Sequence, residues 1–188
     1  MRTTYVPPLK AETAKDQSSR SGASSLPTEA SESVKGDVLL VGLDLGTNTS
    51  CLRAAPLGST QLLLSEILPT VVGYAKEGIV ENLLPDNAQV LFGQLAHKHR
   101  MYLRMVPPLA DGVVADMAAA HDFIRHLRKL IHTAPGVELR VVAGVPASAD
   151  RGARDLLIQA LGGFFHKALL VPEPFLAALG FRDESRLG

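Results

Sequence analysis

With 188 residues, 46% of them hydrophobic, and a formal net charge of zero, the chain can bury one core and carries neither a basic nucleic-acid footprint nor an acidic solvating composition. A single cysteine, Cys51, excludes an internal disulfide, and the six histidines lack metal-ligand spacing, His97 and His99 standing two apart and His121 and His126 five apart. No apolar run approaches the ~20 residues that span a bilayer and no apolar stretch follows the first residues, so the chain is read as cytoplasmic, with no nucleic-acid partner and no transmembrane segment.

Residues 1–37 are rich in Ser, Ala, Thr, Glu and Lys, hold three prolines and show no apolar period, which predicts a disordered leader. From Val38 the pattern becomes that of an α/β domain. Val38 to Asp44 reads as a strand ending in a glycine-bearing turn, and Ser50 to Ala55 as the strand after it. Further extended pieces are expected at Gln61 to Glu66, Val71 to Tyr74 and Gln89 to Gly93, with a helix-like stretch from Leu95 to Leu103. Ala115 to His132 places Met117, Ala120, Ile124, Leu127 and Ile131 on one face and predicts an amphipathic helix. Leu139 to Val145 is nearly all apolar, as a strand covered by helices on both faces would be. A helix from about Asp150 to Leu161 follows, capped by Ser148 or Asp150 and stopped by Gly162-Gly163. Ala168 to Val171 is the next buried strand, and Phe175 to Phe181 a short helix after Pro174.

Two stretches carry chemistry. In the turn Asp44-Leu45-Gly46-Thr47-Asn48-Thr49, an acidic residue at a strand end can hold a hydrated Mg²⁺, and Gly46 lets the backbone approach a phosphate. The same six residues also suit an ordinary hairpin, since all but Leu45 are turn formers. Downstream, Glu173 stands between Pro172 and Pro174, each of which fixes its own φ, and is rigidly presented. It could orient an attacking water or simply cap the following helix. Lys98 and Arg100 read as solvated charges, and Cys51 as a buried small hydrophobe.

Taken in order and spacing, Val41-Gly-Leu-Asp-Leu-Gly-Thr-Asn-Thr-Ser50, then Val-Ala-Gly-Val-Pro146, then Glu173-Pro-Phe-Leu-Ala-Ala-Leu-Gly180 resemble the first phosphate loop and the water-positioning segment of the actin, heat-shock and sugar-kinase superfamily. Val71-Val-Gly-Tyr-Ala-Lys76, Leu91-Phe-Gly93 and Pro108-Leu-Ala-Asp-Gly-Val-Val-Ala-Asp116 narrow the resemblance to bacterial actins of the cell-shape (MreB-type) and magnetosome-filament (MamK-type) branches, the second being the nearer. The resemblance implies the ribonuclease-H-like first half of an actin-type ATPase fold over residues 38–188. It implies ATP and Mg²⁺ as cofactors, with Asp44 holding the metal through water, Gly46, Thr47, Asn48 and Thr49 contacting phosphate, and Glu173 polarising the hydrolytic water.

After Gly180 only Phe-Arg-Asp-Glu-Ser-Arg-Leu-Gly remains, so the chain is expected to be truncated before the family's second phosphate loop and adenosine-binding glycines. Gly162-Gly163 reads as a helix stop and does not replace them. The expected function is a truncated filament protein that binds and hydrolyses ATP when complete. The alternatives are a non-enzymatic module that regulates a full-length homologue, and a fragment of a heat-shock-type chaperone ATPase. Expected partners are other copies, a full-length homologue or a separate second half. The terminal-helix residues Phe175, Leu176, Leu179 and Phe181 would then lie uncovered.

Overall fold

Leu39, Val41, Leu43 and Leu45 alternate with Leu40, Gly42 and Asp44, which makes one face of an extended chain apolar. The computed structural model describes residues 38–184 and forms this segment as β1 (Val38–Leu45), its first set buried and its second exposed. The leader proposed for residues 1–37 lies outside the described residues. β2 (Thr49–Pro56) pairs antiparallel with β1, and β3 (Leu64–Pro69) antiparallel with β2. The third strand was expected at Gln61 to Glu66 and begins three residues later. Its register is set by β2, where Leu64 faces Ala54 and Pro69 faces Thr49, so that Gln61 to Leu63 remain in the connection.

The next segment forms a separate small sheet from β4 (Val72–Ala75), β5 (Val90–Phe92) and β6 (Leu103–Val106), in the order β5-β4-β6. The helix expected from Leu95 to Leu103 is shorter. It is α1 (Gly93–Lys98), followed by a single 3₁₀ turn, after which Leu103 is buried opposite Ala75 in β6. Pairing with β4 decides this, because it buries Leu103 and Val106, which a continued helix would not. A two-stranded hairpin, β7 (Leu109–Ala110) and β8 (Val113–Val114), was also not anticipated. Its strands are too short to show a period, but Asp111 and Gly112 at its tip both have positive φ, 51° and 74°, as a tight primed turn requires.

The amphipathic stretch becomes α2 (Met117–Leu130), narrower than the expected span because the Asp116 side chain accepts from the Ala119 N–H at 2.9 Å and starts the helix there. Ala120, Ile124, Leu127 and the flanking Ile131 are buried as the period requires, together with Phe123. β9 (Glu138–Val145) follows, then α3 (Arg151–Leu161), whose cap is Asp150 rather than Ser148, then β10 (Lys167–Pro172) and α4 (Glu173–Glu184).

β9 and β10 run parallel to β1 and complete a five-stranded sheet of order β10-β9-β1-β2-β3. One face carries Leu39, Val41, Leu43, Leu52, Leu139, Val141 and Ala143, which share a buried core with α2 and α3. The other face is more open than expected. β9 is fully buried on one face only, and β10 is an exposed edge strand rather than a buried one, with Leu169 58% and, across the sheet, Ile67 67% exposed. Cys51 lies on this second face and is half-buried.

The small sheet is fastened to α2 by side chains. The Tyr74 hydroxyl donates to Asp122 Oδ2 at 3.0 Å, and His126 stacks on Phe92 with ring centroids 4.3 Å apart. Burial, then the bond to Asp122, pushes the Tyr74 phenol up to about 12. Burial, with a smaller contribution from Lys129, lowers the proton affinity of His126 below the usual imidazole value. As pH falls below about 6.5, the unfolded chain therefore takes up this proton before the folded one does. Stability is full above that range and declines below it. Thermal unfolding followed from about pH 7 to about pH 5 should show this decline, and His126→Phe, which keeps the stack, should flatten it. An equally steep profile in the variant would place the proton uptake elsewhere.

Candidate functional site

The turn between β1 and β2 is sterically tight and is held from two sides. Gly46 is required sterically, since a Cβ there would stand 2.5 Å from the Thr49 carbonyl oxygen, a backbone atom with no freedom to yield. On one side the Thr70 N–H donates to the Asn48 carbonyl at 2.9 Å, and the hydroxyls of Ser50 and Thr70, both buried, share a 2.7 Å hydrogen bond. On the other side the Gly112 N–H at the hairpin tip donates to Thr47 Oγ1 at 3.1 Å. Gly112 is itself wedged in place, because a Cβ on it would fall 2.5 Å from Pro146 Cγ. Among the described residues, no acceptor meets the N–H of Gly46, Thr47 or Asn48. A turn that is rigidly backed yet leaves successive amides free suits an anion.

The strand ends bring in the carboxylates. Because β1, β9 and β10 are parallel, with Leu43 opposite Ala143 and Val171 opposite Gly144, their carboxyl ends share one edge of the sheet. Asp44 and Glu173 both reach over Gly144. A Cβ built on Gly144 would lie 3.4 Å from Glu173 Cγ, 3.4 Å from Leu176 Cδ1 and 4.0 Å from Asp44 Oδ1. The two acids are exposed. Among the described residues no group of three or more His, Cys, Asp or Glu side chains could hold a metal directly. A cation at Asp44 would keep most of its ligands as water or phosphate oxygens, which is the habit of Mg²⁺.

The structure thus brings together Asp44, the turn from Gly46 to Thr49, and Glu173, all expected from the sequence. Lys98 and Arg100 are exposed at the end of α1 and in the turn after it, on the small-sheet side of the chain. Sequence reading missed Ser50, Thr70, Gly112 and Gly144. Of these only Gly112 left a local signal, the Asp-Gly pair between two apolar dipeptides.

A parallel strand triple with a glycine turn after its first strand and an acid after its third, set beside a smaller inserted sheet, defines the first half of an actin-type ATPase fold. Comparison with known proteins agrees. Residues 39–183 match the MreB/Mbl protein family, and the chain belongs to that family. It is 34% identical over 147 residues to the actin-like protein MamK of Paramagnetospirillum magneticum, a match covering 76% of this chain and 40% of the relative. The MamK of Magnetospirillum gryphiswaldense is 33% identical over 147 residues, with 76% and 39% covered. Among solved structures, a MamK double helical filament superposes with a TM-score of 0.68 at 31% identity, covering 77% of this chain and 44% of that one. A non-polymerising MamK mutant bound to AMPPNP gives 0.65 at 30%, covering 78% and 44%. The chain therefore spans about 40% of the length of the curated relatives it matches.

The Ser50–Thr70 pair makes the backing of the turn measurable. Ser50→Ala or Thr70→Val alone leaves one buried hydroxyl unpaired and should cost about 1–3 kcal/mol in chemical denaturation. The double variant should cost clearly less than the two singles together. Additive costs would mean that the two hydroxyls do not act as a pair.

Proposed function

We propose that this chain is the nucleotide-facing first half of a cytoplasmic actin-like filament protein that binds and hydrolyses ATP when joined to a second half. The observation that carries this reading is the meeting of Asp44 and Glu173 over Gly144, beside a turn whose amides at Gly46, Thr47 and Asn48 meet no acceptor among the described residues. The turn amides and the Thr49 hydroxyl bind phosphate oxygens. Asp44 orients the water shell of Mg²⁺, which when bound would neutralise phosphate charge. Glu173, presented at the start of α4, accepts a hydrogen bond from the attacking water and aligns it. In this reading catalysis is positioning and electrostatics, and the opposite wall of the site comes from a second half in a full-length homologue or a separate chain. The nucleotide in the MamK structure and the filament formed by another MamK structure support the assignment. The family match also favours the filament branch over a chaperone ATPase.

One observation favours a second role, that of an interaction module without activity of its own. Phe175 and Leu179, one helical turn apart on α4, are 66% and 59% exposed, while Leu176 is half-buried toward Gly144. The side chain of Phe181 lies outside the described ones. With the open second face of the sheet, this surface suits self-association or capture of a homologue.

Two measurements separate the roles. With a second half supplied in trans, Asp44→Ala should weaken binding of Mg-ATP, whereas Glu173→Ala should keep binding and slow turnover roughly a hundredfold or more. Equal loss of binding in both variants would refute that division. The chain by itself should show negligible turnover and only weak nucleotide affinity, and should sediment as an oligomer. A clean monomer with tight binding and turnover would overturn the half-site reading.

A further inference from the structure

The five-stranded sheet ends in two edge strands, and they are finished differently. β10 opens with Lys167 and contacts both α3 and α4. β3 meets α1 at its carboxyl end, where a Cβ on Gly93 would lie 3.5 Å from Leu68 Cβ and from Pro69 Cδ. Earlier along the strand Ser65 and Ile67 are exposed.

The register shows which backbone groups this edge leaves over. The Thr70 N–H donates to the Asn48 carbonyl, so the hydrogen-bonded pairs with β2 continue at every second residue, with Leu68, Glu66 and Leu64 opposite Ser50, Leu52 and Ala54. The N–H and C=O groups of Ser65 and Ile67 therefore point away from β2, and among the described residues nothing pairs with them. Sheet edges are ordinarily guarded against strand addition by charge, proline or a bulge. Here Glu66 is the only charged residue from Ala54 to Ala75, and Pro69 lies beyond the open groups. Leu57, Leu62 and Leu63, in the connection before β3, are exposed as well.

We infer that the β3 edge is a docking strand for a second copy of this chain, whose own β3 adds antiparallel about a twofold axis and joins two five-stranded sheets into one. The chemistry of the edge picks this occupant. An antiparallel strand pair is self-complementary, so one sequence serves both sides. Centred on Ser65, it lets the two Ser65 residues exchange both of their outward hydrogen bonds and sets each Ile67 against the partner's Leu63. Glu66 then falls across from Leu64, on the other face of the strand from Ser65 and Ile67. Moving the centre to Glu66 would oppose that carboxylate to its own copy. Moving it to Ile67 would oppose Ser65 to Pro69, which has no N–H and lies against the start of α1. This interface is separate from the phosphate turn and from α4, and it does not rest on the nucleotide reading.

Sedimentation velocity on the full chain, from micromolar to submillimolar concentration, is the test. Wild type should pass from monomer to dimer. Ser65→Pro removes the central N–H without touching a bond to β2, and Ile67→Lys puts a charge on the exposed edge. Each should weaken dimerisation at least about tenfold while leaving the circular dichroism spectrum unchanged. In a Cys51→Ala background, Ser65→Cys should form a covalent dimer under mild oxidation, because the Cα atoms of such a pair lie about 5.5 Å apart. Ile67→Cys should not, its two copies being about 13 Å apart along the strands. Association unaltered by Ser65→Pro and Ile67→Lys would overturn the inference and leave α4 as the contact. A wild-type chain that stays monomeric throughout would overturn it too, whether the edge is then open or covered by residues 1–37. Linking through Ile67→Cys with none through Ser65→Cys would overturn the register. Ile67→Lys and the two cysteine variants keep the test decisive should the proline variant fail to fold.

Discussion

Parallel pairing of β1, β9 and β10 is the constraint on which the rest depends. A parallel sheet aligns the carboxyl ends of its strands, and a ligand site in such folds lies beyond those ends. Here β1 contributes Asp44, β9 contributes Gly144 and the end of β10 contributes Glu173, each from a part of the chain remote from the others. Had β9 been antiparallel to β1, Gly144 would lie at the far end of the sheet and the two acids would have no common ground. Gly144 has ordinary backbone angles, and a methyl group there would only touch its neighbours. Its role is to leave volume between the carboxylates rather than to supply an unusual conformation.

Around that edge the turn is braced in two distinct ways. The buried Ser50–Thr70 pair is a low-dielectric interaction within the core side of the sheet, where leaving either hydroxyl alone is costly. The Thr47–Gly112 contact is part-buried and ties the turn to the β7–β8 hairpin.

What was legible in the sequence followed from periodicity and local chemistry. β1, β9 and α2 declared themselves through the alternation of Leu39, Val41 and Leu43, the apolar run to Val145, and the spacing of Ala120, Ile124 and Leu127. Asp44 and Glu173 stood out because turn and proline chemistry framed them. The small sheet was read less well, since β5 and β6 have 3 and 4 residues and gain their stability from pairing with β4, which a local window cannot see. The exposure of β10 was hidden for a similar reason. Its composition is that of a buried strand, and only its place at the end of the sheet order leaves Leu169 in solvent. Hydrogen bonds such as Ser50 to Thr70 and Gly112 to Thr47 leave no period at all.

The same long-range pairing has a bearing on synthesis. Val38 lies opposite Glu138, a hundred positions later, with the small sheet, the hairpin and α2 all made in between. At ribosomal rates of about 5–20 residues per second, β1 therefore waits roughly 5–20 s after emergence before its parallel neighbour exists. Through that interval the β1, β2 and β3 meander has an unpaired strand edge running from Val38 to Leu43, flanked by leucine and valine side chains that have no helix to cover them. An edge of this kind templates pairing with other chains. The nascent half-domain is thus at its most aggregation-prone before α2 and β9 arrive, and translation speed across residues 57–138 bears directly on the yield of folded protein.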